Sequence, residues 1–463
     1  MEGNPMMGKG WVMRTAVLAM AAVMGTDAFA AFNTFEREKI LAYWAQSERY
    51  TSFVPESTKG TWQVRLTSDG SLWLWALNQK RGLGKIFSNP VPRNDEERKW
   101  EDWISAKVAY DRWMAGLTAN LANAAMGVSP ADIGPEPSLP GAIPESLYRM
   151  VGDAPNFAQA VQPKQHSITF HDGYKVAFQD NTKVDPRYPY YRFEEGVRHG
   201  GQQVKKMPAE DLDKLFAEAN IPDAAQKVMK AVSMLEGGFD SVNTYDTGYV
   251  SVGFIQFACA SRGAGSLGAV LQREKAANSQ AFESDFKQLG IDVKDDGTLQ
   301  VLGLTDGNLY EGYDAALQII KDKRLIAIFQ RAGATSRPFK IAQLQVAREQ
   351  YYPADETFQI KFGNETKTVK VSDLVKSEAG MATVMDRKVN TGKISPLPTK
   401  AQEIAKSFGV KSVEELAQYE REIVANIRFR KSYLDDETLT QPAQRERNKQ
   451  LTSRKSTRKG RGN

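Results

Sequence analysis

Apolar positions alternate in short runs over part of the chain and recur at helical spacing over most of the rest, and the second pattern dominates after Met207. Helices are predicted over Pro208 to Ala219 and Pro222 to Glu236. The second places Val228, Val232 and Leu235 on one face, with Pro222 in the tolerated first turn and Gly237-Gly238 as the stop. Phe239 to Val252 then alternates around an Asp246-Thr247-Gly248 turn and predicts a small hairpin, after which Gly253-Phe-Ile-Gln256 opens a new apolar stretch. Further hairpins are predicted at Asp292 to Val301, around Asp295-Asp296-Gly297, and at Thr357 to Val371, turning at Gly363-Asn364. Tyr310 to Gly333, Pro338 to Tyr352, a stretch from Ser372 past Glu378 and Asp386, and Thr399 to Leu434 read as helix. Upstream, Thr61 to Leu77 reads as a hairpin turning at Ser68-Asp69-Gly70. Glu96 to Leu117 reads as a helix with Trp103, Ala106, Tyr110 and Trp113 on one stripe, and His166 to Phe178 is strand-rich. No repeat is sustained.

Composition divides the chain. At 463 residues it has length for two to four domains. Lys9 and Arg14 before the apolar run Ala16 to Met24, followed by Ala28-Phe-Ala30, read as a secretory signal over residues 1–30 and hence export to periplasm, wall or exterior. Every tryptophan except Trp11 falls within 31–126, which marks a tryptophan-rich module. On a strand, Trp73 and Trp75 share a face; exposed, they stack on sugar rings, and buried, the favoured case, they are core. Five prolines between Pro130 and Pro144 make 127–145 an extended, partly mobile linker. A strand-rich subdomain (146–205), a helical domain (206–396), a helical segment (397–437) and a basic, disordered tail (438–463) follow. From Arg445 to Arg461 that tail carries eight basic residues against the single acid Glu446, a charge pattern for anionic envelope polymers. The lone Cys259 excludes an intrachain disulfide and reads as a small core residue.

The chemistry concentrates after the Pro222 helix. Glu236 at its C-terminal end meets the negative pole of the helix dipole and an apolar last turn, both of which raise a carboxyl pKa. A carboxyl that keeps its proton near neutral pH suits the general acid of glycosidic cleavage. Asp246, ten positions on, is the second carboxylate, able to position water or stabilise an oxocarbenium-like centre, while Asn243, Thr244, Tyr245 and Gln256 are candidate substrate-binding residues. The plainer alternative is a solvated helix-end glutamate followed by an ordinary polar loop.

Glu236, a hairpin, and Gly-Phe-Ile-Gln ending at Gln256 resemble the goose-type lysozyme and soluble lytic transglycosylase pattern within the lysozyme-like superfamily. The resemblance implies an α+β, mostly α fold: a lysozyme-like helical domain with small β-hairpins, preceded here by the tryptophan-rich mixed module. It also implies cleavage of peptidoglycan between N-acetylmuramic acid and N-acetylglucosamine. A hydrolase would need Asp246; a transglycosylase, in which the sugar's own hydroxyl attacks, would not. A noncatalytic wall-binding protein and a chitosan- or chitin-cleaving enzyme are the alternatives.

No metal or cofactor is called for. Gly263-Ala-Gly-Ser-Leu-Gly268 matches a dinucleotide fingerprint, but no βαβ pattern surrounds it, so a glycine-rich turn between helices is expected. Asp292 to Gly303 fails as a calcium loop at Lys294 and Gly303. His166, His171 and His199 are expected to be structural, and no Gly-x-Ser-x-Gly elbow supports a serine nucleophile.

Overall fold

The computed structural model describes residues 31–54, 62–83, 89–181 and 193–443. The secretory-signal reading, the basic run from Arg445 and most of the aromatic stretch Tyr188 to Phe193 lie outside them. The fold is α+β and mostly α, with small antiparallel sheets. It forms two compact units, each from separate stretches of chain: Met1–Gln203 with Gly237–Gln343, and Val204–Glu236 with Leu344–Asn463. Residues 206–396 are therefore not one domain, because their middle packs with the N-terminal part of the chain.

The first unit opens with α1 (Thr34–Trp44), started by a capping box in which Asn33 and Glu36 exchange side-chain-to-backbone bonds. Then come β1 (Tyr50–Phe53), β2 (Gln63–Leu66), α2 (Ser68–Lys80), α3 (Asp95–Ala125), α4 (Glu145–Val151), β3 (Ala158–Val161), β4 (Gln165–Thr169), β5 (Lys175–Gln179) and β6 (Arg198–His199). The order β1-β4-β5 makes one sheet, and β2 pairs with β3.

Three expectations change here. The Ser68-Asp69-Gly70 "turn" is the first turn of α2: Thr67 Oγ1 accepts from Gly70 N at 3.0 Å and also donates to the Asn156 carbonyl at 2.6 Å. Trp73 thus lies on a helix, buried with Leu66, Leu77, Trp100, Ile104 and Phe157, and offers no face to a sugar. On α3 the buried stripe is Trp100, Ile104, Val108, Ala115 and Ala119. The flanking Trp103 and Trp113 instead donate their indole N–H groups to Gly141 and Gly134 carbonyls, at 2.8 and 3.3 Å. With Asn120 bonded both ways to Ala131 at 2.8 Å, they tether the proline-rich stretch along α3, so it is extended but not loose.

The chain next supplies α5 (Ala209–Glu218) and α6 (Asp223–Ser233) to the second unit. It returns to the first with β7 (Val242–Asn243), β8 (Ser251–Val252), β9 (Phe257–Ala258), α7 (Gly265–Ala277), α8 (Ser279–Asp285), β10 (Ile291–Val293), β11 (Leu299–Leu302), β12 (Leu309–Glu311), α9 (Gly312–Lys321) and α10 (Lys323–Thr335). Tyr310 to Gly333 is thus two helices, because Asp322 is extended and caps α10 by accepting from Arg324 N. The sheets β6-β7-β8-β9 and β10-β11-β12 contain the two expected hairpins. The glycine-rich stretch turns, as expected, between helices: a 3-10 turn at Ala260–Arg262 ends at Gly263 in the left-handed region, and α7 begins at Gly265. Its Gly268 lets α7 lie against the turn at Gly297, whose carbonyl oxygen would be only 2.0 Å from a Cβ.

Helix α11 (Arg337–Gln350) leads into the rest of the second unit: β13 (Thr357–Phe362), β14 (Glu365–Lys370), α12 (Val371–Leu374), α13 (Glu378–Thr391), α14 (Leu397–Phe408), α15 (Val413–Ala417) and α16 (Glu420–Ile427). The β13–β14 hairpin turns where expected, with Phe362 opposite Glu365. Helix α13 is buried continuously from Ala379 to Asp386 and packs against α6, making it the centre of this unit. Among the described residues no helix is long and apolar enough to cross a membrane.

Candidate functional site

Glu236 lies beyond its helix. The α6 hydrogen-bond ladder stops at Ser233, and Leu235 and Glu236 continue as a tight turn, Glu236 N donating to Ser233 O at 3.0 Å. Leu235 is 39% exposed, so it does not supply the expected apolar surrounding. A helix dipole contributes about 0.3–1 kcal/mol within the last turn and fades beyond it, so it is a minor influence here. Burial decides instead. The Glu236 side chain is only 12% exposed, and Arg430 Nη2 stands 2.7 Å from its Oε1. That approach is oblique, and the buried Oε1 receives no well-directed hydrogen bond.

Behind the guanidinium lies Asp386, 1% exposed. Its Oδ1 accepts from Arg430 Nε at 2.9 Å and from Nη2, and its Oδ2 accepts the Arg430 backbone N–H at 3.4 Å. Asn390, one turn along α13, donates to the Asp386 carbonyl at 2.8 Å. Two carboxylates therefore share one guanidinium. Burial pushes the Glu236 carboxyl up, Arg430 pulls it down, and the nearby Asp386 charge pushes it up again; the net direction is upward. Tyr433 is wholly buried nearby, and its hydroxyl finds no hydrogen-bond partner among the described residues.

The other nominated residues belong to the first unit. Strands β7 and β8 pair Val242 with Val252 and Asn243 with Ser251. In the connection between them, Asp246 Oδ1 accepts from Gly248 N at 2.9 Å and Oδ2 from Asn243 Nδ2 at 3.2 Å, while Asn243 Oδ1 accepts from Tyr245 N at 3.0 Å. Asn243 and Asp246 are thus brought together, but to shape their own turn. Thr244 is a correction: it is fully buried, with Oγ1 accepting from Val197 N at 3.0 Å, and has no surface for a substrate. Tyr245 stays half-buried, its backbone carbonyl accepting from Phe193 N at 2.9 Å.

Gln256, half-buried with a left-handed backbone, donates from Nε2 to Ser241 Oγ at 2.7 Å and to the Gly253 carbonyl at 3.1 Å. It braces the Gly253–Gln256 loop rather than standing free. Gln343, wholly buried on α11, clamps the same loop: its Oε1 accepts from Phe254 N at 3.2 Å and its Nε2 donates to Phe239 O at 3.0 Å. A Cβ on Gly253 would come within 2.1 Å of that oxygen, which explains the glycine.

Sequence reasoning missed Arg430, Asn390 and Tyr433, and named Asp386 only as part of a helix. No local signal joins an arginine after α16 to carboxylates on α13 and after α6. It also missed Glu274 on α7, 1% exposed beside Asp285, with Ser336 3.5 Å away. Burial, then the Asp285 charge, pushes this carboxyl up to about 9. Lys323 is pulled down by burial to about 8, but its ammonium donates to the carbonyls of Glu195 and Ile320 at 2.8 and 2.7 Å, so it ties the last turn of α9 to the loop at Glu195. His166 stands between Asp180 and the Tyr50 hydroxyl, 2.9 Å from each, a structural position. Cys259 is wholly buried, its thiol pushed up to about 12, and is inert. Comparison with protein-family models, curated proteins and solved structures finds no match to the chain.

Proposed function

We propose that the protein is an exported glycan-cleaving enzyme of lysozyme-like architecture, acting on peptidoglycan with Glu236 as general acid. The observation that carries this reading is the Glu236 carboxyl itself: largely buried, one of two carboxylates on a single guanidinium, with its proton affinity raised. Such a group protonates the leaving glycosidic oxygen as the bond to the anomeric carbon breaks, leaving positive charge on the sugar. The succession of α6, the acid, the β7–β8 hairpin and the braced Gln256 loop supports the same superfamily reading. Tryptophans 44, 73 and 100 serve as core in this scheme, and the basic residues from Arg445 onward hold anionic wall polymer.

Asp246 bears on how the reaction ends. Each of its oxygens already accepts one hydrogen bond within its own turn, a shaping role that favours attack by the substrate's own hydroxyl over activation of water. We therefore infer a lytic transglycosylase course, with the hydrolase as alternative. The Arg430 contact also fits a noncatalytic wall-binding protein in which Glu236 is only an ion-pair partner. Incubation of purified sacculi with the protein distinguishes them. Wild type should release soluble muropeptides with anhydro ends, Glu236→Gln should lose at least about a hundredfold, and Asp246→Asn should retain most activity. Wall binding without release by a folded wild type would exclude the enzyme.

A further inference from the structure

We propose that Asp386 and Arg430 are the positioning residues of Glu236, Asp386 fixing the guanidinium and Arg430 fixing the carboxyl. This inference rests on the reading of Glu236 as the acid. Asp386 takes Nε and Nη2 of Arg430, two contacts that set the plane of the guanidinium, and its other oxygen accepts the Arg430 backbone N–H at 3.4 Å. Held so, Arg430 cannot turn its fork fully onto Glu236. It presents one nitrogen at 2.7 Å and leaves the buried Oε1 without a well-directed bond. A bidentate Arg–Glu pair would hold the glutamate permanently ionised; this off-line contact orients the carboxyl and still leaves room for its proton.

The charges facing Glu236 support the division of roles. From α13 comes Asp386, negative and buried, and Asn390, which steadies it. From the segment after α16 come Arg430 and the buried Tyr433, whose phenol is pushed up and stays neutral. Of the other charges on these elements, Lys431 pairs with Asp436 at 2.9 Å, Lys227 of α6 with Glu378 at 3.3 Å, Lys230 of α6 with Asp213 at 2.5 Å and Lys388 of α13 with Glu356, while Arg387 donates to the Ile427 carbonyl at 3.2 Å and Arg428 is exposed. Removing Asp386's charge thus weakens the hold on the Glu236 proton, and removing Arg430's strengthens it.

The test is a titration of the Glu236 carboxyl carbon by NMR in the full chain, beside the pH profile of muropeptide release. A general acid works only while protonated, so activity falls as pH rises through its pKa. Asp386→Asn should move both the Glu236 midpoint and the alkaline limb to lower pH. Arg430→Met should move both upward, each by roughly one to three pH units. The double variant, which does not leave Asp386 as an unpaired buried charge, should return towards wild type and secures the test if Arg430→Met fails to fold. Arg430→Lys should keep the midpoint near wild type while lowering kcat, because the charge remains and the fork does not. Shifts in the same direction, or no shift, with release intact would overturn the positioning role alone. Opposed shifts with no release by wild type would overturn the acid reading and the positioning role with it.

Discussion

Glu274 shows how far a buried carboxyl in this chain can depart from ordinary behaviour. Burial and the Asp285 charge hold its proton up to about pH 9, whereas an unfolded glutamate releases it near 4.3. Between those values the native state binds more protons than the unfolded one, so its contribution to stability is full below about pH 4 and falls as pH rises through about 9. Glu236, also raised, has the same sign. Glu274→Gln keeps a neutral hydrogen-bonding group of the same size. Urea unfolding at pH 5 and pH 9 should show the wild type losing stability across the interval and the variant losing much less; equal losses would refute the assignment. Little of this was legible in the sequence. Glu236 was singled out from its place between an apolar helix and a glycine pair, and the burial of Cys259 was expected from its isolation, because both signals are local. The partners Arg430, Asp386 and Asp285 were not, since their charges act through space and leave no spacing to read. Thr244 illustrates the converse error: a hydroxyl in a polar loop looks available until Val197 is seen to occupy it.

Among the elements, hairpins were the most legible, because period-two alternation and turn chemistry agree. The β10–β11 and β13–β14 pairs turn where Asp-Gly and Gly-Asn stand. Helix α2 was misread because Thr-Ser-Asp-Gly is both a turn sequence and an N-cap sequence, and only the Phe157 side of the core decides between them. The proline-rich stretch was misread for another reason. Its composition does exclude regular structure, but its freedom depends on α3, where Trp103, Trp113 and Asn120 hold its carbonyls and Ile133 sits over Gly116. Trp113→Ala combined with Asn120→Ala removes the middle tethers, so limited proteolysis should cut residues 127–144 at least several-fold faster, since cleavage follows the population of the opened segment. The thermal midpoint should move little, because the buried stripe of α3 is untouched. Cleavage at the wild-type rate would mean that the prolines alone keep the stretch in place.

For the whole molecule, the main consequence is that each unit is assembled from distant stretches, which the sequence conceals because two amphipathic helices do not announce that they are partners. Helix α6 buries Val228, Met229 and Val232, and α13, on which it packs, is buried along most of its length. Three such side chains contribute about 1.5–3 kcal/mol each, a sum comparable to the roughly 5–15 kcal/mol that holds a domain folded. Residues 344–443 expressed alone should therefore lack a cooperative thermal transition and bind a hydrophobic dye. Adding a peptide of residues 204–236 should restore the transition saturably, and the same peptide with Val228→Asp and Val232→Asp should not. The restored complex should also re-form the Glu236–Arg430 contact, so Arg430→Met in the larger fragment should weaken peptide binding, the more so above the pKa of Glu236, where the carboxylate is charged. A native-like melt of residues 344–443 without the peptide would show that α6 is an accessory to that unit rather than half of its core.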